Sequence, residues 1–193
     1  MTRPRLPTLV ALLLLNGAVA YAMPHLWNHL HDYQKRRIET FLNPGNDPYG
    51  SGYQIIQSRI AIGSGGVLGK GWLKGTQKGL SFLPMRHTDF IYSVVGEELG
   101  LLGSLTVVVL YVVLLLRGYR LAMVAKSGFA SLLAVGLTTS FFYLIMVNIL
   151  MTVGLAPVTG IPLPLLSYGG TALLVNGIQL GLLQNVALRR REF

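Results

Sequence analysis

The sequence predicts an all-α polytopic integral membrane protein, with about four transmembrane helices and a long extracytoplasmic loop between the first and second. Three observations carry that prediction. Charged residues make up 12% of the chain and apolar residues 52%, against roughly 25% charged in an average soluble domain. From Ser127 to Leu188, 62 consecutive residues include no Asp, Glu, Lys, Arg or His, which leaves room for two spans of about 20 residues and a connection. Lys and Arg also crowd the short segments between apolar runs, the pattern that marks the cytoplasmic side.

The first span is expected over about 6–27. Its start, MTRPRLPTLVALLLLNGAVAYA, has the basic region, apolar region and Ala-Val-Ala of a cleaved secretory signal. Hydrophobicity continues to Trp27 and three further apolar runs follow, so an anchored helix is the expectation. The second span is expected over about 90–116, the third over 129–153 and the fourth over 166–188, all within one membrane domain, 1–193. Between the third and fourth lies GLAPVTGIPLPLLSYGG. Its prolines 157, 162 and 164 do not fit an uninterrupted helix, and irregular backbone at membrane depth is tolerated only against protein or water. A loop that dips into the bundle is expected.

Orientation follows from Arg3 and Arg5 before span one, Arg117, Arg120 and Lys126 between spans two and three, and Arg189, Arg190 and Arg191 after span four. All three segments belong on the cytoplasmic side, so both termini are cytoplasmic and the loop 31–89 faces outward. Cysteine is absent, which excludes disulfides and thiol chemistry.

The outer loop concentrates unusual chemistry. Nine of the thirty residues from Gly50 to Gly79 are glycine, interleaved with Arg59, Lys70, Lys74 and Lys78. Glycine allows close backbone approach to an anion and the cations add charge, so a phosphate-bearing ligand suits this stretch. Nucleotide motifs do not: GSGGVLG is not GxGxxG, and Gly71 follows Lys70 where a P-loop has Ser or Thr. Diffuse adhesion to anionic headgroups is the competing account. Within the loop, Tyr53, Ile56 and Ile60 share one side of a short helical segment that would rest at the interface.

FLPMRHTDFIYSVVGEELG, residues 82–100, brings charge to the edge of span two. Asp89 lies just outside the hydrocarbon beside Arg86 and His87, available as a proton acceptor without the cost of a charge at the bilayer centre. Its competing role is a helix N-cap, which Asp also favours. On a helix Gly96 falls nearly beneath Asp89, Glu97 about 80° around and Glu98 opposite. At most one glutamate then shares a cavity with Asp89, and the other pairs with a basic side chain or a neighbouring helix.

YQIIQSRIAIGSGGVLGKGW, GTQKGLSFLPMRHTDFIYSVVGEELGLLG and GIPLPLLSYGGTALL follow one another over about 41–174. In wording and order they strongly resemble the SEDS family (shape, elongation, division and sporulation), and QSRIAIGSGG, KGTQ and RHTDF are similar to its RodA branch rather than its FtsW branch. The resemblance implies a peptidoglycan glycosyltransferase that polymerises lipid II, the undecaprenyl-pyrophosphate-linked disaccharide precursor, during elongation and maintenance of rod shape. It implies the outer face of the bacterial cytoplasmic membrane, with a class B penicillin-binding protein, the elongation machinery and membrane lipids as partners, and no nucleic acid. The family's essential aspartate matches Asp89. Family members have about ten spans and the four here correspond to the last four, so a fragment, a split gene product or a truncated reading frame is expected.

Chemical roles follow. Forming a β-linkage from an α-linked lipid pyrophosphate inverts the anomeric carbon, so a base must take the acceptor hydroxyl's proton, and Asp89 is the candidate. Arg59, Lys70 and Arg86, with Lys74, would meet the charge on the departing pyrophosphate. Gln77 and His87 would hydrogen-bond sugar or phosphate, Glu97 would share the cavity, and Ser167 and Tyr168 would touch the lipid-linked substrate unless their segment is only a rigid turn. No metal ligand cluster stands out, although Mg2+ or Mn2+ bridging the pyrophosphate fits the chemistry. Two other function classes fit parts of the pattern, a lipid II flippase and a non-catalytic scaffold for a penicillin-binding protein.

Overall fold

Apolar segments in a solvent without hydrogen-bonding groups must satisfy their own backbone, which makes helices of them. The computed structural model describes residues 29–47, 50–75 and 88–189, and within these the regular structure is helical. In chain order it contains α1 (Asp32–Leu42), a 3-10 turn (Pro44–Asn46), α2 (Ser51–Ser64), α3 (Ile91–Met123), α4 (Gly128–Val153) and α5 (Gly170–Leu188). Helices α3, α4 and α5 are long and apolar enough to cross a membrane. The first predicted span, 6–27, lies outside the described residues.

The helix pair α3 and α4 forms the core. Ser104, Tyr111 and Gly118 are buried one heptad apart on α3, while Ala134, Thr138, Phe141, Ile145 and Asn148 alternate at three and four on α4, the spacing of a helix–helix seam. Gly118 lets the backbones close: a Cβ there would meet Thr138 Cγ2 at 2.8 Å, the small-residue contact common between membrane helices. Helix α5 joins through Asn176, Leu183 and Val186.

Three expectations change. Span two extends to Met123, so Arg117 and Arg120 ride on helix and only 124–127 connect α3 to α4. Span two is also not one helix, because Gly100 has φ 66° and ψ −159° and divides α3 into two parts. Span four starts at Gly170 rather than 166, since 166–169 belong to the proline-rich connection.

The stretch expected as an outer loop contains α1 and α2. On α2 the buried face is Gly52, Ile55, Ser58 and Ala61, while Ile56 and Ile60 are exposed, so small residues rather than the Tyr53 side set its packing. The Ser58 hydroxyl donates to the Thr152 carbonyl at 2.6 Å and lies 2.5 Å from the Ser93 hydroxyl, tying α2 to both α3 and α4. The proline-rich connection enters the bundle as expected: Leu163 is buried, and the Tyr111 hydroxyl donates to the Pro164 carbonyl at 2.6 Å. Tyr111 is eleven residues beyond Gly100, about 16 Å along the axis.

Candidate active site

Asp89 sits on a short turn that two elements hold. Asn148 on α4 is fully buried, and its amide donates both to the Asp89 carbonyl at 2.9 Å and to the Ile161 carbonyl at 2.7 Å. Ser167 donates to the Thr88 carbonyl while accepting from the Leu163 N–H at 2.8 Å. Phe90 is buried at the next position. The main chain at 88–90 is therefore clamped between α4 and the re-entrant connection, while the Asp89 side chain stays half-buried beside Gly160, where a Cβ would stand 3.5 Å from Oδ2.

The competing role as a helix cap is not what this geometry shows. The cap of α3 is Phe90, with no side-chain hydrogen bond closing it. A half-buried carboxylate on a fixed turn can accept a proton from a bound hydroxyl, if a substrate brings one within hydrogen-bond reach.

Eleven residues beyond Asp89, the break at Gly100 in α3 resolves why two glutamates enter an apolar run. In an unbroken helix the carbonyls of 97 and 98 would accept from the N–H groups of 101 and 102. Instead the glycine-rich segment after α2 takes over both sides of the break. The Lys70 and Gly71 N–H groups donate to the Glu97 and Glu98 carbonyls, each at 3.0 Å, while Leu101 and Leu102 donate to the Gly66 and Val67 carbonyls at 2.9 and 3.2 Å. Two hydrogen bonds leave the helix ladder and four replace them, so the Glu97 and Glu98 carbonyls and the Leu101 and Leu102 N–H groups all keep partners.

Glycine is required where the strands of this splice touch. At Gly69 a Cβ would meet the Gly100 nitrogen at 2.7 Å, and at Gly100 it would meet the Val67 carbonyl oxygen at 2.6 Å. The side chains follow the backbone: Lys70 Nζ pairs with Glu97 Oε1 at 2.7 Å, and the Leu73 N–H donates to Glu98 Oε2 at 3.2 Å. Both glutamates are buried. Glu97 thus pairs with a basic side chain, and Glu98 accepts from a main-chain donor.

The remaining expected site residues distribute as follows. Arg59 is exposed on α2 with its aliphatic stem against Gly154, at the end of α4 that leads into the re-entrant connection. Lys74 is exposed beyond the splice and Tyr168 projects into the open, while Ser167 is buried in the clamp. Thus Asp89 and Ser167 are brought together, and Lys70 and Glu97 form a second cluster. Gln77, Arg86 and His87 lie outside the described residues. Among the described residues no three His, Cys, Asp or Glu side chains gather as a metal-holding group. Asn148, Tyr111 and the Gly100 break were not among the expected features.

Comparison with known proteins adds an independent line. The family model FTSW_RODA_SPOVE, described as cell cycle protein, matches residues 5–192. The peptidoglycan glycosyltransferase MrdB of Escherichia coli K12 is 51% identical over 174 residues, covering 90% of this chain and 47% of that protein. Stage V sporulation protein E of Bacillus subtilis is 45% identical over 155 residues, covering 80% of this chain and 42% of that protein. A chain from a solved structure concerning coordination of polymerization and crosslinking by a peptidoglycan synthase complex superposes with a TM-score of 0.72 at 31% identity, covering 94% of this chain and 50% of that one. The chain thus spans about half the length of the curated relatives it matches.

Proposed function

Because this chain belongs to the FtsW/RodA/SpoVE family of cell cycle proteins, we propose that it carries the catalytic aspartate of a RodA-like peptidoglycan glycosyltransferase that polymerises lipid II. The observation that supports this most directly is the half-buried Asp89 carboxylate on a turn fixed by Asn148 and Ser167. Holding a base in place before substrate arrives is how a protein turns proton abstraction into an efficient step.

In the proposed reaction the acceptor sugar's hydroxyl oxygen attacks the anomeric carbon of the donor. The new C–O bond forms as the bond to the lipid pyrophosphate breaks, with inversion, and Asp89 takes the hydroxyl proton. Arg59 and Lys74, with Arg86, would offset the charge on the leaving pyrophosphate. Mg2+ or Mn2+ bridging that pyrophosphate would share the same task. Lys70 is assigned differently: its ammonium, held by Glu97, fixes the basic segment onto α3.

The proposal includes a class B penicillin-binding protein and the elongation machinery as partners, in the bacterial cytoplasmic membrane, with the Asp89 end outward. Single cysteines at Ser51 and Ser127 test the orientation: a membrane-impermeant thiol reagent should label the first and spare the second in intact spheroplasts. The reaction is tested by Asp89→Asn in the chain completed with the N-terminal half of the Escherichia coli relative, in proteoliposomes with lipid II. Turnover should fall by about 10²–10⁴-fold with lipid II binding retained. A helix cap predicts near-normal strand synthesis from the Asn variant, and a non-catalytic scaffold predicts no synthesis from either protein; each result would overturn the assignment.

A further inference from the structure

At the end of the bundle opposite Asp89, the first turns of α4 and the last turn of α5 enclose a cavity of about 280 Å³ that none of the chemistry above uses. Its polar mouth is formed by Lys126, Ser127, Asn185 and Arg189, and its walls include Phe129 and Leu133. Both cations are exposed. Among the described residues every carboxylate, Asp32, Glu39, Asp47, Asp89, Glu97 and Glu98, falls between 32 and 98, and the salt bridge among them engages Lys70 rather than Lys126 or Arg189. The positive end of the α4 dipole faces the same mouth, while Arg189 offsets the negative end of α5.

We propose that this cavity binds the phosphodiester headgroup of an anionic membrane phospholipid, with one acyl chain against the apolar wall. Three features favour a lipid over a free anion. The cavity lies at the start of a 26-residue helix whose other end reaches the Asp89 turn. That length is about 39 Å, against roughly 30 Å of hydrocarbon, so the two ends sit at headgroup depth on opposite sides. The mouth offers two cations and two neutral hydrogen-bonding side chains, which match a phosphate and its ester oxygens. The wall residue Phe129 is 77% exposed and continues the cavity onto the open side of α4.

The test uses the purified chain in detergent, with native mass spectrometry reading occupancy by phosphatidylglycerol and phosphatidylcholine added in equal amounts. Phosphatidylglycerol should be retained selectively, and Lys126→Gln combined with Arg189→Gln should weaken it about thirtyfold. Arg117→Gln combined with Arg120→Gln, at the same end but outside the cavity, should leave it unchanged. Ala130→Trp, which fills the cavity without altering charge, should also abolish selective retention. Equal losses in both charge pairs would replace the site with diffuse attraction. Undiminished binding in the Lys126/Arg189 variant, or equal retention of the zwitterionic lipid, would overturn it. Displacement of the lipid by equimolar inorganic phosphate would show a free-anion site instead and sink the lipid assignment.

Discussion

Gly100→Ala is the perturbation that most directly probes the splice between the glycine-rich segment and α3. At φ 66° and ψ −159° the backbone is in a region essentially confined to glycine, and an alanine there costs about 1–3 kcal/mol. The added Cβ would also stand 2.6 Å from the Val67 carbonyl oxygen, so the segment must retreat. Retreat exposes the four exchanged main-chain hydrogen bonds, worth about 1 kcal/mol each in net terms. The strain alone should therefore raise exchange by about ten- to a hundredfold at the amides of Lys70, Gly71, Leu101 and Leu102. Hydrogen exchange with mass spectrometry, in nanodiscs, reads these peptides directly. Gly69→Ala approaches the same contact from the other side and should give the same pattern. Gly136→Ala, in α4 with nothing within 4 Å, is the control and should be neutral or stabilising by up to about 1 kcal/mol. Unchanged exchange in both splice variants, or an equal rise in the control, would refute the account.

Asn148→Leu should remove the donor shared by the Asp89 and Ile161 carbonyls. It should lower stability by about 2–4 kcal/mol and cut strand synthesis in the completed chain, measured by thermal unfolding and lipid II turnover; a stable, active variant would show that the clamp is dispensable. Lys70→Met and Glu97→Gln should each destabilise, and the double variant should recover about 1–3 kcal/mol of their summed loss. Strictly additive unfolding energies would mean that the pair seen at 2.7 Å contributes no coupling.

Three of the four expected spans coincide with long apolar helices because length and polarity decide them: the start of α4 at Gly128 and the ends of α4 and α5 fall within a residue of the expected limits. Asp89 stands out in the sequence as a carboxylate at the edge of an apolar run, but the residues alone left a base and a helix cap both open, and its assignment as the base came from the family resemblance. The break at Gly100 was not legible. Glycine is frequent in membrane helices, and Gly100 has the same neighbours as any packing glycine until the partner segment 66–71 is placed against it. Asn148 could have been found, as an amide in an otherwise apolar run, LIMVNILM, where hydrocarbon offers it no partner. What its amide binds was not legible, because both acceptors are main-chain carbonyls, which every residue has. Lys70 was read as a phosphate ligand from its charge, its glycine-rich surroundings and its place in the motif; its pairing with Glu97 was not legible, because the backbone exchange between distant segments sets it there.

The re-entrant connection also fixes an order of events during synthesis. A non-helical segment has carbonyls that hydrocarbon cannot satisfy, so 155–168 has no stable place in the bilayer until its donors are there. Two of those donors are Tyr111, for Pro164, and Asn148, for Ile161. Both leave the ribosome before the carbonyls they satisfy, on helices that can insert without help. The pair α3 and α4 is then a template that waits for the connection, and the turn that carries Asp89 becomes rigid only when residues made 59 and 79 positions later fold against it.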